Sequence, residues 1–354
     1  MDDGLLTFRE NGKLKNMRDD RQLQIFILTL LGIPGVANTT VRNTLRSNKP
    51  RIEAADLLDE SFARSLNIGK INNGLQKPGV KWNYLEAQAD ETLERANSCG
   101  AIVLQPYSTC YPQRLLINEK YPPIIFARGD IRALNSEKAV SIIGTRDPTP
   151  FGATMGRKLA QILAENGYVI VSGLALGCDS VAHEGALNVD GKTVAVLPTP
   201  IDAPVYPKQN KELAQRILDK GGVLLSEYAP GIELHDKQLV SNLIARDEWQ
   251  PGLSDGVIAI ETSSTGGTNH ALNHAIKTNT PIAVFDYSSR EAMRFYEDER
   301  FSGNVERLQQ GASGIFEPES IERFKLEMEK YRQRINGNMD NPTGGYGQLP
   351  LSFA

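Results

Sequence analysis

At 354 residues, 40% of them hydrophobic, the chain is long enough to bury a large core and to divide into a main domain and a smaller one. Lysine and arginine number 39 against 43 aspartates and glutamates, a net charge of −4, which excludes a global basic footprint and confines any nucleic-acid surface to a local patch. The three cysteines, Cys99, Cys110 and Cys178, lack metal-type spacing and read as reduced thiols of a cytoplasmic protein, while Met1-Asp-Asp-Gly4 does not open a signal peptide.

Residues 1–19 are polar and charged, the composition of a flexible leader. Residues 20–82 read as short helices forming a small domain. The apolar stretch 22–31 is too short to span a bilayer and is a core helix, so no membrane partner is expected. It runs into Gly32-Ile-Pro-Gly-Val36, a turn resembling a helix-hairpin-helix whose glycines would let amides approach a DNA phosphate. The plainer alternative is an ordinary turn between packed helices. A fainter echo occurs at Leu66-Asn-Ile-Gly-Lys-Ile71.

Residues 83–98 alternate as an amphipathic helix does, and 101–104 form a short strand. Tyr111-Pro112, Tyr121-Pro-Pro-Ile-Ile-Phe126 and Gly129 complete an extended entry over 83–137. Strands and helices then alternate through a core over 138–290: strand 139–143, helix 151–166, strand 168–171, helix 178–188, strand 193–197, helix 210–220 and strand 223–226. A loop, strand 256–261, helix 268–278 and strand 281–285 follow. Repeated β-α-β at this spacing predicts a doubly wound, Rossmann-like α/β fold with a mostly parallel sheet, the sheet domain running over 83–315. Residues 316–354 hold a charged helix over 317–335 and a flexible Gly/Asn/Pro-rich tail.

Chemistry gathers where apolar runs stop at small polar turns. The run Val140-Ser-Ile-Ile143 ends in Gly144, Thr145 and Arg146, and Val169-Ile-Val171 ends in Ser172, Gly173, Leu174 and Ala175. In open α/β sheets such turns line the ligand crevice, and helix N-termini there offer free N–H groups to anions, so the pair predicts a phosphate-binding surface. Asp179 and His183 sit one helical turn apart. They read either as an acid–base pair or as a helix cap and a packed histidine; the second is favoured, because no nucleophile or metal ligand stands beside them. Tyr206, Lys208 and Asn210 close a Pro-rich loop that carries Pro198 and Pro200, placing an aromatic face beside a cation, which suits a stacked base with its phosphate on lysine. Residues 245–255 read as a loop in which Arg246, Asp247 and Glu248 face solvent or form a bonded network at the crevice. Gly266, Gly267 and Thr268 turn into a helix whose free amides predict an anion nest. His270 and His274 have the i, i+4 spacing of zinc ligands but no third ligand, so no metal is assigned.

Ile143-Gly-Thr-Arg146, Val171-Ser-Gly-Leu-Ala-Leu-Gly-Cys-Asp179 with Ala182-His183, Tyr206-Pro-Lys-Gln-Asn210, Leu225-Ser-Glu227, Gly252-Leu-Ser-Asp255 and Gly266-Gly-Thr268 occur in this order, preceded by Tyr111-Pro-Gln-Arg-Leu115. The ordered set resembles the DNA-processing protein A (DprA/Smf) family over residues 20–290. The resemblance implies a Rossmann-like sheet behind a helical SAM-like domain. It also implies a homodimer that binds single-stranded DNA and helps to load a RecA-type recombinase during natural transformation, without a cofactor. Carried over, it implies that Arg146, Ser172, Gly173 and Lys208 contact the DNA backbone, and that the chain is a binding protein rather than an enzyme.

Three departures stand out. Arg246-Asp247-Glu248 replaces the family's Arg-Asn-Arg, and two carboxylates there repel a phosphate. The loop with Pro198 and Pro200 lacks the glycines usual before Tyr-Pro. Gly266-Gly-Thr-Asn269 looks more like the related lysine-decarboxylase-like (LOG) proteins, similar in fold, which hydrolyse the N-glycosidic bond of nucleotides. The family's occasional C-terminal winged helix is not expected here. A second reading is therefore a nucleotide-binding or nucleotide-cleaving enzyme with Glu248, or Asp247, as acid/base and Arg146 with the Gly266–Thr268 turn on the phosphate.

Overall fold

The computed structural model describes residues 9–10, 13–14, 17–117, 121–288 and 298–340. The expected leader lies mostly outside these residues, as does the tail beyond 340. A short antiparallel pair, β1 (Arg9–Glu10) and β2 (Lys13–Leu14), precedes five helices: α1 (Met17–Gly32), α2 (Asn38–Glu53), α3 (Glu60–Ser65), α4 (Gly69–Leu75) and α5 (Trp82–Ser98). The Gly32–Val36 turn joins α1 to α2 with Ile33 and Val36 buried and Pro34 and Gly35 exposed. A Cβ at Gly74 would collide with Ile33, so a glycine there lets α4 close onto the turn. α5, read from the sequence with the entry to the sheet, packs its buried Trp82 and Ala96 into the core that also holds Phe26 and Ile27 of α1.

The chain then enters one nine-stranded sheet. Its elements are β3 (Ile102–Leu104), α6 (Gln113–Leu116), β4 (Ile125–Gly129), β5 (Ala139–Ile143), α7 (Pro150–Glu165), β6 (Val169–Ser172), α8 (Cys178–Leu187), β7 (Thr193–Val196), α9 (Lys211–Asp219), β8 (Val223–Ser226), α10 (Asp236–Gly252), β9 (Val257–Ala259), α11 (Asn269–Lys277), β10 (Ile282–Phe285), α12 (Ser302–Gln309), β11 (Ser313–Ile315) and α13 (Pro318–Asp340). The strand order is β11-β10-β9-β5-β6-β7-β8-β4-β3, parallel from β11 to β8, with β4 and β3 added antiparallel at one edge. The fold is therefore the doubly wound, mostly parallel sheet behind a helical N-terminal region that the sequence predicts. The extended entry contributes two strands to it. The element α12–β11 was not expected.

Both faces of the parallel strands are covered, which is why they read as unbroken apolar runs. Val140 and Ile142 of β5 face a layer with Leu159 and Leu163 of α7 and Phe324 and Met328 of α13, while Ala139 faces Tyr111, Leu115 and Leu253. Sheet and helical region share one core, where Phe126 and Leu224 meet Phe26 and Ile27. Below β5 and β9, Asp255 is fully buried. It accepts from Arg114 Nε at 2.8 Å and Nη2 at 3.1 Å, from the Ala139 N–H at 3.0 Å and from Arg332 Nη1 at 3.4 Å. Two pieces of the family resemblance, Tyr111–Leu115 and Gly252–Asp255, thus meet at the amino ends of the strands. Among the described residues no helix is long and apolar enough to cross a membrane.

One expectation is corrected here. Residues 245–252 are not a loop but the last turns of α10. The misreading came from the burial of that helix: Asn242, Arg246 and Gln250, at i, i+4 and i+8, form its buried face, while Val240 and Ile244 are exposed. A helix with a polar inner stripe has no apolar periodicity to find.

Candidate functional site

Reversal of strand order fixes where a ligand fits. β6 to β8 extend from β5 on one side and β9 to β11 on the other, so the crevice opens beyond the carboxyl ends of β5 and β9. A cleft of about 330 Å³ lies there, lined among others by Gly144, Thr145, Arg146, Ala175, Arg246 and the Gly266–Thr268 turn. Two turns predicted from separate stretches of sequence are therefore brought to one place. Arg146 is exposed and directed to this cleft.

The first turn is held tightly. Thr145 N–H donates to the Glu261 carbonyl at 2.7 Å, and Cys178 N–H to the Thr145 carbonyl at 3.0 Å. A Cβ on Gly144 would come within 2.6 Å of Cys178 Sγ and 2.9 Å of the Glu261 carbonyl, so only glycine fits between them. Glu261, buried at the end of β9, accepts from Thr149 N–H at 2.7 Å, Thr149 Oγ1 at 2.5 Å and Tyr287 Oη at 2.9 Å. It ties the start of α7 to the strand end and was not singled out from sequence.

The second turn supplies the wall rather than donors. Ser172, Gly173 and Leu174 are buried, with Ser172 Oγ donating to the Ile142 carbonyl at 2.7 Å. Leu174 sits at φ +57°, a left-handed conformation for a non-glycine residue, and Asn210 braces it. Asn210 Nδ2 donates to the Leu174 carbonyl at 2.8 Å and lies 3.1 Å from that of Ala175. Asn210, predicted as a ligand contact, is thus placed as a support.

Arg246 reaches the cleft from α10, yet its side chain is only 5% exposed. Its guanidinium donates to the carbonyls of Gly173 and Val196, faces Asp247 at 3.0 Å and stands 3.8 Å from Asp179. Asp179 also accepts from the Ala175 N–H at 3.3 Å, and burial raises its carboxyl above the ordinary range despite Arg246. His183 lies away from the cleft and fully buried, Nδ1 against Thr193 Oγ1 at 2.7 Å. Because Thr193 Oγ1 donates to the Ile170 carbonyl at 2.6 Å, the imidazole Nδ1–H is the donor to Thr193. Burial pulls its pKa down to about 3, so it is neutral. Asp179 and His183 are a turn support and a packed side chain, not an acid–base pair in the cleft.

Asp247 lines the cleft with Gln250, which donates to it from Nε2 at 3.1 Å. Burial, outweighing the pull of Arg246, pushes its carboxyl up to about 7. Glu248 points elsewhere, 3.7 Å from His274 Nδ1. Next to the cleft, a recess shared with Arg146 and Arg246 is floored by Leu176, Tyr206 and Pro207. Lys208 is exposed on a wider hollow beyond Tyr206. Gln250 and Leu176 were missed from sequence; reading 245–252 as helix would have put Gln250 on the face of Asp247. Among the described residues no group of His, Cys, Asp and Glu is arranged to hold a metal.

A sequence model of the family described as DNA recombination-mediator protein A matches residues 102–325. Protein Smf of Synechocystis sp. is 36% identical over 182 residues, 51% of this chain and 44% of that protein. The X-ray structure of DNA processing protein A from Streptococcus pneumoniae is similar at a TM-score of 0.65 and 25% identity, covering 85% of this chain and 96% of that one. DNA processing protein A from Helicobacter pylori, in a structure described for its single-stranded DNA binding mode, is similar at a TM-score of 0.52 and 28% identity, covering 67% of this chain and 96% of that one. The chain spans about half the length of the curated relatives it matches.

Proposed function

Because the chain belongs to the DNA recombination-mediator protein A family, we propose that its cleft binds single-stranded DNA, with a backbone phosphate between Arg146 and the Gly266–Thr268 turn. The observation that carries this reading is the exposed Arg146 guanidinium at the β5–β9 crevice, opposite a turn whose Gly267 has nothing within 4 Å of a Cβ position. Backbone amides and an arginine there offer an anion charge-assisted hydrogen bonds. The relative from Helicobacter pylori, described for its single-stranded DNA binding mode, supports the choice of ligand. Tyr206 in the adjoining recess gives a base a ring to stack on, and Lys208 beyond it a second cation for the backbone. Gly144, Thr145 and Ala175 shape the phosphate seat, while Ser172, Gly173, Leu174, Asn210 and Arg246 hold it in place.

In this reading the chain is a homodimeric binding protein of the cytoplasm that presents DNA to a RecA-type recombinase, its helical region over 20–82 and its sheet region over 83–315 acting together. The nucleotide-hydrolase reading loses Glu248 as its acid/base, because Glu248 faces His274 rather than the cleft, and keeps only Asp247, which lines the cleft.

Fluorescence anisotropy of a labelled oligo-dT across a salt series tests the proposal. Binding weakens steeply with salt and falls about tenfold in Arg146→Ala, the worth of one charge-assisted contact. Glu248→Gln leaves it unchanged. Absence of binding at low salt would sink the reading.

A further inference from the structure

α10 carries an aspartate into a cleft suited to anions. Asp247 shares that hollow with Arg146, Thr145 and the Gly266–Thr268 turn, and its side chain is 17% exposed. The charged groups around it are few. On α10 itself, Arg246 Nε lies 3.0 Å from Oδ1, and Glu248 turns away to His274. α8 contributes Asp179, a rival for the Arg246 charge at 3.8 Å. The loop after β5 contributes Arg146. α11 offers His274, engaged with Glu248, and the exposed His270. The turn over 262–268 holds only threonine, serine and glycine.

Two cations therefore stand against two carboxylates before any ligand arrives. A phosphate adds another negative charge beside Asp247, in a place where little water screens it. One of the two must lose its charge or be displaced, and a carboxylate can be neutralised by a proton from solvent.

Resting on the reading of the cleft as a DNA phosphate seat, the geometry points to Asp247 as a proton-linked gate, at which a phosphodiester and one proton are taken up together. The proton comes from solvent and ends on the Asp247 carboxyl; no other bond forms or breaks. Burial already pushes this carboxyl up to about 7, so the coupling operates near neutrality. The control is Asp247→Asn, which keeps the shape of the side chain and removes the proton.

Affinity for labelled oligo-dT at pH 6, 7 and 8 tests the gate in the wild-type chain and in Asp247→Asn. Wild-type affinity falls about tenfold between pH 6 and 8, within the limit of tenfold per pH unit for one linked proton. Asp247→Asn stays flat, near the wild-type value at pH 6. A flat wild-type profile, or equal slopes in both chains, overturns the proposal. If neither chain binds oligo-dT at any pH, the DNA reading fails, and the gate is judged with inorganic pyrophosphate. Calorimetry at pH 7 in two buffers of different ionisation heat then reads proton uptake. Because the free carboxyl is half protonated at pH 7, uptake of about half a proton per site, lost in Asp247→Asn, sustains the gate; no binding, or binding without uptake, overturns it.

Discussion

Arg246 has its guanidinium inside the protein, donating to the Gly173 and Val196 carbonyls and facing Asp179 and Asp247, whereas Arg146, which lines the same cleft, is exposed. Removing the first leaves two buried carboxylates without their shared cation. Arg246→Ala therefore lowers stability by about 3–5 kcal/mol, read as a shift of the urea midpoint. Arg146→Ala changes stability by less than about 0.5 kcal/mol, because little that is buried depends on it. Both arginines were legible as crevice residues, since each follows or flanks an apolar strand. Which one is buried was not legible, because residue type fixes charge and the surrounding fold fixes exposure. The same holds for Asn210, whose position in a Tyr-Pro-Lys motif says nothing of the carbonyls that Nδ2 will meet.

α10 shows how far periodicity carries a reading. The strands β3 and β5 to β10 and the helices α7, α8, α9 and α11 were found within a residue or two, because their buried faces are apolar and their ends are marked by glycine or polar turns. α10 instead lays a polar stripe across the sheet. Asn242 donates to the Pro198 carbonyl at 3.0 Å, Arg246 to Val196 at 3.1 Å, and the Gln250 carbonyl receives Ser141 Oγ at 2.7 Å. These contacts run over β7 and β5, so the helix is positioned by hydrogen bonds where its neighbours are positioned by packing. Asn242→Ala leaves the Pro198 carbonyl without its donor and costs about 1–3 kcal/mol. Val240→Ala, at 58% exposure on the outer face, costs less than about 0.5 kcal/mol. Comparing thermal midpoints of the two variants checks the polar assignment; equal losses would contradict it.

Across the whole molecule, buried ionisable groups make stability depend on pH in two opposed senses. Asp247 is raised to about 7, and Asp179 and Glu227 are raised by burial too, so the native state keeps protons that the unfolded chain has lost. Between about pH 4 and 7 these acids make stability fall as pH rises. His183, lowered to about 3, acts the other way: the unfolded chain binds its proton below about 6.5, so its contribution is lost as pH falls towards 3. Asp247→Asn isolates one component. Its urea midpoint exceeds that of the wild type by a margin that grows from pH 5 to 7 and then levels off; a constant margin would mean that Asp247 is ordinarily ionised in the free protein.

Asp255, at the end of the sheet away from the cleft, gathers Arg114 from before the parallel strands and Arg332 from the last helix. Seen as connectivity, this carboxylate fastens the two flanks of the described chain together without a covalent link. The stretch Gly231, Ile232 and Glu233 is exposed and lies between β8 and α10. A backbone broken there yields one fragment with Arg114, β5 and β8 and another with Asp255, β9 and Arg332. The β5–β9 pairing and the Arg114–Asp255 clasp both cross the break. A chain divided at this point is expected to give two pieces that associate through these contacts and complete the cleft only together, which co-purification of the separately expressed pieces checks.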